Sequence, residues 1–197
     1  GSTTPDPPLV VIRTNVLRGV DTPIWIVATC ALAAAIEALL TWHFGWSAPL
    51  PAFLCFGAMA AVVTMTDLVA RRIPNEVVGP GYLVGAALLA VASAARGEWW
   101  PLERGGITLI VLGAFYFALG LAFPAGMGLG DIKWAGLVGL YLGWVRWEAA
   151  STATLVAFAA AAVFVLGARG ARRGRQFVLP MAPFMTAGAL VAVLTTR

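Results

Sequence analysis

The stretch PLPAFLCFGAMAAVVTMTDLVA, residues 49–70, carries no formal charge before Asp67. A helix rises 1.5 Å per residue, and a bilayer's hydrocarbon core is ~30 Å thick, so ~20 apolar residues cross it. This stretch is long enough. Six others join it, at about 24–42, 77–95, 105–125, 131–145, 149–168 and 177–195. Pro49, Pro51, Pro101, Pro124 and the Gly-rich run from Gly126 to Gly130 punctuate their ends. The expected fold is all-α: a polytopic helical bundle of the membrane with about seven transmembrane helices.

Composition agrees. The chain of 197 residues is 60% apolar and 11% charged, with a mean hydropathy of +0.88. Soluble domains run near ~45–50% and ~25%, which excludes a water-soluble globule. No basic stretch is interleaved with aromatics, so nucleic acid is not an expected partner. One His and two Cys argue against a His- or Cys-built metal site and against a disulfide framework. No internal repeat is visible and the loops are short, so 24–197 reads as a single transmembrane domain. Residues 1–23 read as a mobile cytoplasmic segment, polar and Pro-rich, and Gly1-Ser2 as a tag-cleavage scar.

Orientation follows from Lys and Arg. With a cytoplasmic N-terminus, the inner segments hold Arg13, Arg18, Arg71, Arg72, Lys133, Arg169, Arg172, Arg173 and Arg175. The outer segments hold Arg96, Arg104, Arg146 and Arg197, nine against four. The positive-inside rule favours this direction, and Trp42, Trp46, Trp99, Trp100, Trp144 and Trp147 form a belt at the outer interface.

The fifth span is short. Ile132–Val145 has 14 residues, ~21 Å of helix. The preceding Gly-Met-Gly-Leu-Gly should therefore dip below the cytoplasmic surface as a loop, tolerated where protein or a water-filled cavity covers it.

Of nine acidic residues, Asp6, Asp21, Glu76, Glu98, Glu103 and Glu148 fall in tails or loops by this reading, whereas Glu37, Asp67 and Asp131 do not. An acid at membrane depth marks a functional site by default. Asp67 lies near the end of span two and Asp131 opens span five. Two spans separate them, so both acids return to the same side of the bilayer. Two carboxylates at equal depth suit the shared-proton pair of an aspartic protease. The bland alternative makes Asp67 an interfacial partner of Arg71 or Arg72 and Asp131 an N-cap.

Asp67, five residues, then Ile73-Pro74-Asn75, followed two spans later by Gly128-x-Gly130-Asp131-x-Lys133, resembles the type 4 prepilin peptidases. These are membrane aspartic proteases of the Gly-x-Gly-Asp type. Leu179-Pro180-Met181-Ala182-Pro183-Phe184 is similar to that family's Pro-containing segment, and the resemblance runs from about residue 49 to 190. It implies an aspartic endopeptidase with Asp67 and Asp131 as the catalytic pair. Gly128 and Gly130 would let the backbone approach substrate and take positive φ if needed, and Pro74 and Asn75 would shape the turn after span two. Lys133 would tune charge or hold the loop, or else snorkel at the interface. Pro183 is a supporting residue.

The implied substrate is a pilin or pseudopilin precursor. Its short basic leader is cut from an apolar helix on the cytoplasmic side of a bacterial or archaeal plasma membrane, in type IV pilus assembly or protein secretion. No cofactor or metal is expected. The larger bifunctional members carry a cysteine-rich cytoplasmic segment. Here Cys30 and Cys55 fall inside spans at different depths, so the expectation is cleavage without N-methylation.

Other readings stay open on the residues alone. Intramembrane acids also mark ion-coupled transporters, although these show repeated halves. Signal-peptide-peptidase-like proteases share Gly-x-Gly-Asp but pair it with Tyr-Asp, whereas Thr66 precedes Asp67 here. Glu37 reads as a neutral carboxyl hydrogen-bonded between helices or as a substrate-handling group, and His43 has no catalytic role. Helix polarity makes Asp131, at a helix start, the ionised base and Asp67, near a helix end, the protonated acid.

Overall fold

Prolines begin several of the helices. The computed structural model describes residues 23–123, 127–168 and 179–196, which form seven helices and no strand. These are α1 (Pro23–Phe44), α2 (Leu50–Ala70), α3 (Asn75–Arg96), α4 (Trp100–Ala122), α5 (Leu129–Val145), α6 (Trp147–Ala168) and α7 (Ala182–Thr195). The N-terminal segment read as mobile, the Pro124–Gly126 stretch and the Arg-rich 169–178 lie outside the described residues. Pro51, Pro101 and Pro183 each occupy the first turn of their helix, where a missing N–H costs no intrahelical bond.

Five helices, α1–α4 and α6, are long and apolar enough to cross a membrane. The chain is a multi-pass membrane protein of helical-bundle architecture. The shorter α5 and α7, of 17 and 14 residues, complete it.

Helix ends depart from the hydropathy reading where polar residues continue a helix. α4 starts at Trp100, five residues before the first apolar run, so Glu103 lies in its first turn. Glu76 and Glu148 likewise sit in first turns of α3 and α6, where an acid complements the helix dipole. None of these three is a loop residue. α7 starts only at Ala182, and Leu179–Met181 are not helical.

The centre of the bundle is α5, buried from Trp134 to Trp144. Its glycines let α4 pack against its backbone: a Cβ at Gly139 would stand 2.7 Å from the Thr108 carbonyl oxygen, and one at Gly143 would overlap the Thr108 side chain. Small residues of this kind drive helix association in lipid, where apolar burial gives no advantage. On the other side Trp134 stacks on Phe56 of α2 at 5.7 Å, and Tyr141 meets Phe53 edge-on at 5.5 Å. α5 therefore fixes α2 and α4 about itself, and with them the end of the bundle where Asp67 and Asp131 lie.

Candidate active site

That end gathers the C-terminus of α2 and the N-termini of α3, α5 and α7. Asp67 lies one turn before the end of α2 and is 5% exposed. The helix closes on Arg71, whose N–H donates to the Asp67 carbonyl oxygen at 2.9 Å and whose backbone is left-handed, φ 51° and ψ 42°. Glycine is the usual residue at such a stop. The turn sends Arg72, Ile73 and Pro74 across the bundle end, and Pro74 caps α3 from an extended conformation.

Asp131 belongs to the first turn of α5, which begins at Leu129. Its Oδ2 accepts the N–H of Gly128 at 3.0 Å, satisfying one donor that a helix start leaves open. The expected loop before span five is therefore shorter than read, and Gly130 and Asp131 are helical. Gly128 is extended, with φ −85° and ψ 156°, and neither glycine takes positive φ. The absent side chain of Gly130 matters for a different reason. A Cβ there would stand 2.9 Å from Cβ of Ile73.

The two sequence motifs thus touch. Lys133 Nζ donates to Asn75 Oδ1 at 3.0 Å, a second tie between the α2–α3 turn and the first turn of α5. Lys133 thereby joins the two motifs. Tyr82 of α3 adds a third tie, its hydroxyl donating to the Lys133 carbonyl at 2.6 Å, and a Cβ on Gly136 would overlap that hydroxyl. Asp131 lies within electrostatic reach of Asp67.

A model of the type IV leader peptidase family matches residues 52–167, more than half of the chain. The chain belongs to that family. It is a peptidase of a membrane-bound family, and the match spans both motifs, from α2 through nearly all of α6. No curated protein and no solved structure matches the chain.

Beyond that match, α7 brings what the sequence did not announce. Ala182 opens the helix, and its N–H donates to Asp67 Oδ2 at 3.0 Å in a buried position. Pro183 follows, with no N–H of its own and a φ suited to a first turn. One turn deeper, Thr64 Oγ1 donates to Thr186 Oγ1 at 3.0 Å, also buried. Thr64 precedes Asp67 by three residues and Thr186 follows Ala182 by four, so the bonds lie one above the other. Each carboxylate is thus anchored through Oδ2, and no hydrogen bond holds either Oδ1 among the described residues.

Two further features lie at this end. Tyr116 of α4, buried and stacked on Phe158 at 5.9 Å, lies within electrostatic reach of Asp131. A cavity of about 190 Å³ at the α2–α3 turn is lined by Thr66, Ala70, Arg72, Ile73, Pro74, Asn75 and Glu76.

Among the described residues no three His, Cys, Asp or Glu side chains gather as metal ligands, and Cys30 and Cys55 are free thiols. Glu37 is half-buried with its Cγ 3.7 Å from where a Cβ of Gly57 would lie. It has no hydrogen-bond partner among the described residues, so the interhelical bond expected of it is absent there.

Proposed function

We propose that Asp67 and Asp131 are the catalytic pair of an aspartic endopeptidase that removes the leader from type IV pilin-like precursors. The observation that carries this is the junction of the two motifs. Gly130 on Ile73 and Lys133 on Asn75 clamp the helix start bearing Asp131 against the turn that ends the helix bearing Asp67. Family membership supports the reaction class and a prepilin-like substrate.

In this mechanism the Oδ1 atoms, left open by the backbone anchors, face one water. The ionised carboxylate takes a proton from that water as its oxygen attacks the scissile carbonyl carbon. The protonated carboxyl gives its proton to the carbonyl oxygen, forming a tetrahedral diol. Collapse of the diol breaks the C–N bond as a proton passes to the leaving amine, and the pair returns to one shared proton. Each acid is anchored by a single N–H, which orients it and leaves the other oxygen to handle protons. The cavity at the α2–α3 turn, whose wall includes Thr66 next to Asp67 in the chain, is the entry we assign to an extended peptide.

The excess of Arg and Lys around Asp67 and Asp131 supports a cytoplasmic site, with the N-terminus on the same side, in a bacterial or archaeal plasma membrane. Pilus assembly and protein secretion are the processes such a precursor serves.

The test is cleavage of a pilin precursor from the same genome, co-reconstituted with the enzyme and followed by intact mass. Asp67→Asn and Asp131→Asn should each lower the rate by ~10³-fold or more, since one acid cannot both activate water and protonate the leaving group. A folded variant that keeps more than a few per cent of the wild-type rate refutes the pair.

A further inference from the structure

Arg96, Arg104 and Arg146 meet at the other end of the bundle, where α1, α3, α5 and α7 finish and α2, α4 and α6 begin. Their surroundings differ. Arg146 is paired with Glu148 at 3.6 Å. Arg104 turns back onto the end of α5, its Nε–H donating to the Gly143 carbonyl at 2.5 Å and Nη2 to those of Trp144 and Val145 at 2.6 and 2.7 Å. That guanidinium neutralises the negative end of the α5 dipole. Its Nη1 makes no hydrogen bond among the described residues.

Arg96 has neither a carboxylate nor a carbonyl partner among the described residues. It lies over the Trp144 ring, 5.3 Å from its centroid. The ring is itself fixed, because Trp144 Nε1 donates to the buried Ser93 hydroxyl at 3.0 Å. Ser93 is one turn before Arg96 on α3, so a single helix face sets the platform and the cation above it.

Between Arg96 and Arg104 opens a cavity of about 420 Å³, more than twice the volume of the one at the α2–α3 turn, with His43, Glu98, Trp100 and Trp144 also in its wall. Two guanidinium groups against one carboxylate leave a single positive charge there, and most of the free N–H donors belong to Arg96. The exposed Trp99, Trp100 and Trp147 ring this end, and interfacial tryptophans sit at headgroup level. α3 has 22 residues between the two sites, ~33 Å of helix, so this cavity takes no part in the chemistry at Asp67.

We propose that the cavity binds a phosphate monoanion, presented by an anionic phospholipid headgroup or free in solution, with Arg96 as its principal ligand and Arg104 Nη1 behind it. The forked guanidinium suits phosphate oxygens, and the aromatic face beneath holds it ready.

The experiment uses the full chain in detergent and native mass spectrometry. It compares retention of phosphatidylglycerol with that of diacylglycerol carrying the same acyl chains, with inorganic phosphate as competitor. Wild type should retain the phospholipid in preference to diacylglycerol. Arg96→Gln should retain about tenfold less, the scale of one hydrogen-bonded charge, and Arg96→Lys should fall between. Arg146→Gln, whose guanidinium is already paired, should match wild type. Displacement by millimolar phosphate identifies a site for the bare anion, and resistance to it identifies the lipid as the source. Equal retention of phospholipid and diacylglycerol, or phospholipid retention unchanged in Arg96→Gln, overturns the proposal.

Discussion

Gly130→Ala tests the junction of the two motifs with one methyl group. The added Cβ would lie 2.9 Å from Ile73 Cβ, where ordinary contact begins at 3.4 Å, so the first turn of α5 or the α2–α3 turn must retreat by at least ~0.5 Å. Overpacking of this kind costs ~1–3 kcal/mol, and Ala gains ~1 kcal/mol over Gly in a helix. Net stability should therefore change by no more than ~2 kcal/mol. Catalysis is less forgiving, because displacements near 1 Å cost about 10²-fold when groups must meet in register. A 10- to 100-fold fall in the initial cleavage rate is expected, with near-normal thermal unfolding in the same detergent. Because the atom in the way is a Cβ, Ile73→Ala in the Gly130→Ala background leaves the clash, whereas Ile73→Gly removes it. Only the glycine double variant should recover activity. Gly106→Ala, with nothing within 4 Å of its Cβ, is the control and should cleave as wild type. A Gly130→Ala enzyme within twofold of wild type, or equal rescue by Ile73→Ala and Ile73→Gly, refutes the reasoning.

Further tests address the other ties. Lys133→Met and Asn75→Ala should each lower cleavage by about tenfold, and the double variant should fall no further, because both remove one hydrogen bond; additive losses would separate the residues. Thr64→Val should lower thermal stability by ~1–2 kcal/mol by leaving Thr186 with a buried, unmatched hydroxyl, and Thr64→Val/Thr186→Val should recover most of it. Failure of the double variant to recover would mean that the hydroxyl pair does not hold α7 to α2. In a background without Cys30 and Cys55, single cysteines at Arg72 and Glu98 should label from the cytoplasm and the exterior respectively. Labelling of both from one side would break the orientation proposed from the charge count.

The bundle was legible in the sequence because long apolar runs leave few alternatives, and Asp67 and Asp131 were legible because charge is rare inside such runs. Helix ends were harder to place. Glu103 and Arg104 look like a loop on hydropathy, yet Arg104 belongs in the helix because it reaches the bare carbonyls that end α5. The glycines misled in a similar way. Gly128 and Gly130 invite a reading in terms of backbone freedom, while among the described residues the left-handed one at this end is Arg71 and Gly130 serves close approach. Such a contact joins residues 57 positions apart and leaves no periodic mark. Thr64 and Tyr82 were legible only as ordinary helix residues, since their partners lie 122 and 51 positions away.

The division of labour between the two acids rests on the part least visible in sequence. Taken alone, α2 places its negative end at Asp67 and α5 its positive end at Asp131, which makes one acid and one base by helix polarity. α7 undoes that asymmetry. Its N-terminus points at Asp67 and supplies the Ala182 N–H, as the start of α5 supplies the Gly128 N–H to Asp131. Two dipole ends of about half a charge each now oppose one another at Asp67, so helix polarity alone no longer separates the residues, and the proposal of Asp131 as base needs the titration of each acid in the other's Asp→Asn variant to decide it. Pro183 explains why the sequence hid this. It reads as a supporting residue at a span boundary, whereas its position in the first turn of α7 leaves the Ala182 N–H to meet the carboxylate. In the proposed catalytic pair, so matched, either carboxyl can carry the shared proton at rest.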